Sequence, residues 1–469
     1  MPRPPCSADE RGRGKPRSYT GVALVIFTQF VDDALGCASY LVGDESTGQA
    51  IVVDPAYAIE QYLEEAERRD VRLVRVLETH THADHVSGHG RLALEHELPV
   101  SVHPATEASY RHDALEDGAE ISLGEVVLRC IHAPGHRPEH CCFAVVDGSR
   151  APDPWLVLTG DSLFVGDAAR PDLAVDARAG AEGLFHSLRR LIELGDGVEV
   201  YPGHVAGSLC GKAMSSKAST TIGFERRFNH ALASDDVASF VAESSGTSAP
   251  RPPNMERIVE LNRGPFVGVQ PDPPKLPLPP DGAQVVDIRT FETFAEGHHP
   301  GAVSVPISGT RFSTKAAFVL DGDRPVTVCA KDSDEAAQAI RSLRSVGLLE
   351  ISGYVLGGGA KTLDLVSLDE LDDLLRDGAE LIDVREKDER DSGYIAGSRN
   401  IPYRLLALDA VDLPRDRPLV TICESGPRAA IAASILAARG YDARAVTPGG
   451  VDAWRESGKP TVEFRRCGS

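Results

Sequence analysis

The sequence predicts a multidomain α/β protein, with a mixed α/β N-terminal region followed by two small parallel α/β domains. Three observations carry this expectation. The 469 residues exceed what one ordinary core accommodates, so roughly two to four domains are expected. Strand-like runs in the first half end repeatedly in a glycine and then a metal-competent side chain. A segment near residue 284 recurs near residue 380 with its internal spacing kept, the mark of a duplicated domain.

Composition narrows the functional classes. With 42% hydrophobic and 25% charged residues, the chain reads as globular rather than disordered. Lys plus Arg number 49 and Asp plus Glu 70, a net charge of −21. Such a surface repels nucleic acid and anionic membrane, so neither is expected as a partner. No run approaches the roughly 18 apolar residues of a spanning helix, and no signal peptide is read, so a cytoplasmic location is expected. Nine cysteines, at 6, 37, 130, 141, 142, 210, 329, 423 and 467, are odd in number and lack a short-spaced framework. Reduced thiols fit better than disulfides, which leaves room for one or two that are chemically active. Residues 1–20, rich in Arg, Pro and Gly, read as a disordered arm. An organelle-targeting peptide is the alternative there, interrupted by Asp9 and Glu10.

From Val22 the pattern predicts strands at Val22–Phe27, Ala38–Val42 and Ala50–Asp54, with turns at Gly43-Asp44 and Thr47-Gly48. A helix is expected at Ile59–Arg69, where Ile59, Tyr62, Leu63 and Ala66 recur at helical spacing. A strand at 71–77, a helix at Arg91–His96 and a short strand at Val100–His103 follow. Between the first two of these lies Glu78–Gly90, in which His80, His82, Asp84 and His85 fall within a few residues. This is a metal loop, because packing alone has no need for four ligand-type side chains at such spacing. Imidazole with carboxylate points to hydrolytic zinc or non-haem iron.

Three later strands deliver more ligands. Val126–Ala133 ends in Pro134-Gly135-His136, Trp155–Thr159 in Gly160-Asp161, and Val198–Tyr201 in Pro202-Gly203-His204. Glycine at each end lets the backbone turn sharply close to an ion.

The motifs THTHADH, PGH, GD and PGH, in this order over residues 21–265, resemble the metallo-β-lactamase superfamily. That resemblance implies a four-layer αββα sandwich with a metal site on one edge. The stretches Thr159–Asp167, Ala169–Leu173, Tyr201–Gly211 and Ser219–Glu225 are similar to persulfide dioxygenases within it. By that resemblance His80, His136 and Asp161 are the ligands of one Fe(2+) per chain, with two Zn(2+) as the alternative. Two histidines and a carboxylate leave open positions for O2 and a substrate sulfur. His82, Asp84, His85 and His204 are then hydrogen-bond partners that orient the ligands or, in the alternative, hold a second metal. Arg170 either grips a substrate carboxylate or pairs with Asp167 or Asp172. Cys210 either relays sulfur near the metal or packs in the core.

Residues 243–281 are rich in Ser, Pro and Gly apart from a helix expected at Met255–Asn262, and 266–281 reads as a stiff Pro-rich linker. Beyond it Gln284–Arg289 recurs as Glu380–Arg385, and the Asp-to-Gly distance is the same in both copies, 287 to 301 and 383 to 397. Val326–Cys329 matches Val420–Cys423, and Gly357-Gly358 matches Gly449-Gly450. Each copy alternates short apolar strands with helices such as Ala429–Arg439, which predicts two parallel α/β domains, 282–363 and 364–469. A capping box at Ser367–Glu370 starts the second.

Both copies resemble rhodanese domains. In the second, Cys423, Glu424, Ser425, Gly426, Pro427 and Arg428 form that family's active loop, followed by Pro448–Trp454. A persulfide on Cys423 is expected to be cradled by backbone N–H groups and Arg428. Four residues separate Cys423 from Arg428, one fewer than in related phosphatases, which argues for sulfur transfer. The first copy keeps Cys329 but lacks the glycine and arginine and inserts acidic residues, so it reads as degenerate and mainly structural.

The resemblances imply a sulfur-metabolism enzyme that oxidises a low-molecular-weight thiol persulfide with O2 to sulfite. Sulfane sulfur would pass through Cys423 to form or use thiosulfate. The alternatives are a binuclear zinc thioester hydrolase of glyoxalase II type, a flavin-partnered redox protein disfavoured because no flavodoxin-like region follows, and a non-catalytic sulfur carrier or sensor. A homo-oligomer is implied by the resemblance alone.

Overall fold

The computed structural model describes residues 25–32, 34–172, 176–205, 215, 217–244, 251–407 and 412–463. The expected arm and Cys210 lie outside them. The first sheet holds six strands in sequence order: β1 (Val25–Asp32), β2 (Cys37–Asp44), β3 (Gln49–Val53), β4 (Arg72–Leu77), β5 (Val100–Val102) and β6 (Asp113–Ala114). The second runs from β7 (Glu120–Ser122) through β8 (Val126–His132), β9 (Cys141–Asp147), β10 (Pro154–Gly160) and β11 (Glu199–Pro202) to β12 (Thr220–Thr221). Helices α1 (Glu60–Arg68) and α2 (His89–His96) cover the first sheet, and α3 (Ala177–Ile192), α4 (Ile222–Phe228) and α5 (Val237–Ser244) belong to the second.

Strand alternation builds the four layers. Tyr40, Val42, Ile51, Val53 and Leu77 point between the sheets at Leu128, Phe143, Val145, Leu156 and Leu158. Their neighbours Leu41, Ala50, Val52 and Val76 point the other way, onto Tyr62 and Ala66 of α1 and Leu92 of α2. On the far side Cys142, Ala144, Val157 and Val200 meet Leu184, Leu188 and Leu191 of α3. Because β10 and β11 are parallel with Gly160 opposite Pro202, the turns after them place Asp161 and His204 side by side.

After α6 (Met255–Arg263) come two smaller sheets. The first has the order β14 (Val303–Ser304), β13 (Gln284–Asp287), β15 (Val326–Ala330), β16 (Ile351–Leu356), all parallel. Its helices are α7 (Phe291–Glu296), α8 (Phe312–Val319) and α9 (Ser333–Ser345). The second has the order β17 (Asp364–Val366), β21 (Ala443–Val446), β20 (Leu419–Ile422), β18 (Glu380–Asp383), β19 (Arg399–Asn400). Helices α10 (Leu368–Arg376), α11 (Lys387–Asp391), α12 (Pro427–Ala438) and α13 (Val451–Glu456) accompany it. The repeat is structural as well: Asp287 and Asp383 each clamp the arginine two residues on, and Arg289 and Arg385 each donate to a glycine carbonyl, of Gly297 and Gly393.

The segment read as a stiff linker, 266–281, docks on the first small sheet: Leu276 N donates to the Tyr354 carbonyl at 2.7 Å and Tyr354 N to the Pro274 carbonyl at 3.0 Å. Lys275 thus pairs in parallel with Tyr354 of β16, as β17 pairs with β21 in the second copy. The proline-rich composition makes the chain extended, and the open edge of β16 supplies the partner.

The domains also share packing. Helix α12 is buried from Ala429 to Leu436 because it lies between its own sheet and β14, where Ser304 N donates to Ser434 Oγ at 2.9 Å. One apolar cluster therefore runs through both small domains, from Val286 and Phe294 to Ile431 and Leu436. The metal loop is held from the first small domain, since Val86 N donates to the Ser345 carbonyl at 2.7 Å. No helix among the described residues is long and apolar enough to cross a membrane.

Candidate metal centre and Cys423 loop

The turns after β4, β8 and β10 bring His80, His136 and Asp161 together, with one ligand atom of each within 4.8 Å of the others. Glycine geometry makes this approach feasible. A Cβ on Gly135, at φ 150°, would lie 2.5 Å from Leu184 Cα, and one on Gly160, at φ 47°, 2.7 Å from Thr79 Oγ1. His80 Nε2 and Asp161 Oδ2 are buried without a hydrogen-bond partner, 3.9 Å apart, and His136 Nε2 lies 3.6 Å from the same oxygen. Buried polar atoms left so are the signature of a ligand set.

Neighbours fix the tautomers. Thr79 Oγ1 donates to Asp54 Oδ2 at 2.8 Å, so it accepts from His80 Nδ1 at 2.9 Å and leaves a lone pair on Nε2. His136 Nδ1 donates to the Arg170 carbonyl at 3.3 Å with the same result. Burial, with His82 and His136 nearby, holds His80 well below the ordinary imidazole range, and burial lowers His136 as well. Both are neutral, as metal binding requires. Burial opposes ionisation of Asp161, but facing His204 keeps it a carboxylate.

The remaining residues of the loop are engaged elsewhere. His82 Nε2 lies 3.1 Å from Glu78 Oε2 and 3.3 Å from Asp54 Oδ1. Burial works against its charge, yet these carboxylates raise its pKa well above the ordinary value. His204 bridges two carboxylates, with Nδ1 2.6 Å from Asp161 Oδ1 and Nε2 2.7 Å from Asp84 Oδ2. His85 Nδ1 lies 3.3 Å from Asp84 Oδ1. Cys37, at the start of β2, completes this second group, with Sγ 3.2 Å from Asp84 Oδ2 and 3.3 Å from His204 Nε2. Sequence reasoning missed Cys37 and Asp54, since only the fold brings the ends of β2 and β3 to the loop, and it gave no role to Glu78, the loop's own first residue.

His140 was also missed. Its Nε2 accepts from Asp161 N at 2.9 Å, which fixes the backbone of a ligand, and burial with His136 nearby pushes its pKa down to about 3. The unfolded chain binds this proton below about pH 6.5 and the folded chain does not until about pH 3, so stability falls as the pH drops through that window. Between pH 7 and 5 this group costs the apo protein about 2 kcal/mol. His140→Gln, whose side-chain oxygen accepts the same N–H, is expected to flatten that part of a stability-versus-pH curve measured by denaturant unfolding.

Asn262 of α6 locks the loop from behind. It donates to the carbonyls of His82 (3.0 Å) and His85 (2.8 Å) and accepts from Ser87 N (2.9 Å) while 4% exposed. Asn262→Leu strands three buried backbone groups, with an expected loss of about 3 kcal/mol in urea unfolding and weaker metal retention on dialysis.

Arg170 is paired through two 2.7 Å bonds to Asp172, one of the two ion-pair partners expected of it. Asp167 lies 3.5 Å from His230.

In the second small domain Cys423 follows β20 and precedes α12, 1% exposed, with Gly426 N donating to its Sγ at 3.1 Å. Gly426 at φ 112° and Pro427 at the first helical position shape this turn, placing the helix N-terminus beside the sulfur. Ser425 is exposed, and Glu424 pairs with Arg385 and, at 3.2 Å, Arg455. Arg428 departs from the expected cradle. Its guanidinium makes two bonds to Glu389 of α11, at 2.6 and 2.5 Å, because α11 presents a carboxylate to it. In the first copy Cys329 is buried with Sγ donating to the Gly357 carbonyl at 3.0 Å, and burial beside Asp287 pushes its thiol up to about 12. Asp332 caps α9 by accepting from Glu335 N.

Comparison with known proteins agrees with this arrangement. Residues 32–204 match the metallo-beta-lactamase superfamily, and 276–362 and 367–457 each match the rhodanese-like domain. A probable polyketide biosynthesis zinc-dependent hydrolase of Bacillus velezensis is 30% identical over 192 residues, 40% of this chain and 80% of that protein. The mitochondrial persulfide dioxygenase of Bos taurus is 27% identical over 254 residues, 52% of this chain and 90% of that protein. A metallo-beta-lactamase crystal structure from Staphylococcus aureus superposes with a TM-score of 0.66 at 27% identity, covering 71% of this chain and 99% of that one.

Proposed function

The chain belongs to the metallo-β-lactamase superfamily and carries two rhodanese-like domains beyond that fold, and from this premise we propose an iron-dependent persulfide dioxygenase coupled to sulfur transfer through Cys423. The observation that carries the reading is the division of labour in the loop. His80 Nε2, His136 Nε2 and Asp161 Oδ2 face one point, with the first and last unpartnered, whereas His82 Nε2 lies within 3.3 Å of carboxylates of Asp54 and Glu78 and His204 bridges Asp161 and Asp84. Likeness to a persulfide dioxygenase along 90% of that protein supports it.

Two neutral imidazoles and a carboxylate would hold a ferrous ion, which supplies redox chemistry and open positions for O2 and a persulfide sulfur. The protein's part is orientation. Thr79 and the Arg170 carbonyl set the two imidazoles, His140 fixes the Asp161 backbone, and His204 fixes its carboxylate. The overall change is thiol persulfide plus O2 plus water to thiol plus sulfite. At the other site the Cys423 thiolate takes the sulfane sulfur of thiosulfate and releases sulfite, or the reverse. Proposed partners are thus a small thiol persulfide, O2, and sulfite or thiosulfate.

A second reading is favoured by Cys37, Asp84 and His85, whose ligand atoms lie within 4.8 Å of one another, and by likeness to a zinc-dependent hydrolase. It makes the centre binuclear and hydrolytic. Metal analysis after anaerobic loading separates the two. One tightly held iron per chain, lost on His136→Ala, is the expected result; two zinc ions per chain with thioester cleavage would overturn it.

A further inference from the structure

The two small domains repeat one charged pair and not another. Asp383 clamps Arg385 as Asp287 clamps Arg289, and both arginines reach on to a glycine carbonyl. That pair belongs to the fold. The pair of Glu389 with Arg428 does not. Counted from Asp287 and Asp383, Thr293 of α7 holds the place of Glu389; counted from the two cysteines, Asp334 holds the place of Arg428. The first copy nevertheless keeps the corresponding four-strand order, β14-β13-β15-β16 against β19-β18-β20-β21. Glu389 is therefore not a requirement of the architecture, and it accompanies the copy whose cysteine loop is intact.

Glu389 lies in the first turn of α11, and Arg428 in the first turn of α12, at the end of the Cys423 loop. Both Nη atoms of the guanidinium are taken, Nη1 by Oε2 at 2.6 Å and Nη2 by Oε1 at 2.5 Å. The two side chains are 27% and 33% exposed, so water screens this fork only in part. It is the same planar fork that an arginine offers to a sulfur oxyanion. The neighbouring arginines are held as well, Arg385 by Asp383 and Glu424, and Arg455 by Glu424 and Asp452. A dianion approaching the loop meets a carboxylate beside each of these three cations.

We propose that Glu389 sets the donor preference of the Cys423 site, turning it away from thiosulfate and toward thiol persulfides, whose reacting end carries no oxyanion. The proposal rests on reading Cys423 as the sulfur-transferring nucleophile. With a thiol persulfide, the Cys423 thiolate forms a bond to the terminal sulfur and the donor's S–S bond breaks. The leaving thiolate takes the electron pair and the persulfide proton, and Cys423 is left as a persulfide anion; the total charge is unchanged. With thiosulfate the same bond to sulfur forms and the S–S bond breaks, but sulfite leaves as a dianion. Its charge calls for the guanidinium that Glu389 holds. Because the return of sulfite crosses the same barrier, Glu389 opposes both directions.

The test is single-turnover loading of Cys423 in the full chain, with the persulfide on that residue counted by mass spectrometry. Thiosulfate and, separately, an uncharged alkyl persulfide serve as donors. Glu389→Gln keeps the side chain's shape and one acceptor oxygen. It is expected to raise the loading rate from thiosulfate about fivefold and to change the rate from the alkyl persulfide less than about twofold. Adding Arg428→Ala to Glu389→Gln is expected to remove the gain, because the gain passes through the freed guanidinium. A thiosulfate rate that stays the same or falls in Glu389→Gln, an equal change with both donors, or a gain that survives Arg428→Ala would overturn the proposal. No persulfide on Cys423 from either donor in the unaltered chain would instead remove the reading on which it rests.

Discussion

Asp161→Asn yields a folded protein without its metal. The side chain is 1% exposed and places Oδ2 at the point faced by His80 Nε2 and His136 Nε2, while Oδ1 accepts from His204 at 2.6 Å. Asparagine keeps the volume and the oxygen that His204 needs, so the turn after β10 is expected to keep its shape. It removes the only charge among the three atoms that converge there, and two neutral imidazoles alone hold a divalent ion poorly. Loss of a partner that merely orients a ligand costs roughly 10–100-fold in affinity or activity, so loss of the ligand itself is expected to exceed about 100-fold. Metal content per chain and O2 uptake should fall together, with circular dichroism unchanged. Full metal occupancy in this variant would remove Asp161 from the ligand set.

Cys423→Ala, by contrast, divides the two chemistries. The thiol lies at the mouth of α12 with Gly426 N aimed at its sulfur, and that amide has no task in the alanine variant. Thiosulfate-to-cyanide transfer should disappear, since Cys329 is sealed against the Gly357 carbonyl and cannot replace it. Persulfide-dependent O2 uptake should stay within a factor of about two, because sites on separate domains with no shared partners behave independently. Equal loss of both activities would show that Cys423 serves the metal reaction directly.

Much of this was legible because the chemistry sits at strand ends. Apolar runs closing in Gly135-His136, Gly160-Asp161 and Gly203-His204 marked the edge where the sheets deliver ligands, and the recurrence of Asp287 as Asp383 marked the duplicated domain. Strand β9 was not read, since its seven residues are all buried and show no alternation. Nor was α3, which has apolar Leu184, Leu188 and Leu191 at helical spacing and an Asp176 cap. Cys37 and Asn262 escaped because they reach the metal loop from β2 and α6, far along the chain. Which way His82 and Arg428 turn depends on carboxylates of Asp54 and Glu389 that only tertiary structure supplies. A sequence gives the kinds of ligand present, whereas the direction in which each nitrogen points is decided by packing.

Oxygen consumption by the anaerobically iron-loaded chain, given a low-molecular-weight thiol persulfide and with sulfite quantified in the same sample, tests the central claim most directly. One sulfite is expected per O2 consumed, abolished in His136→Ala and kept within a factor of about two in Cys423→Ala. Persulfide left intact with no O2 taken up, while the zinc-loaded chain cleaves a thioester, would contradict it.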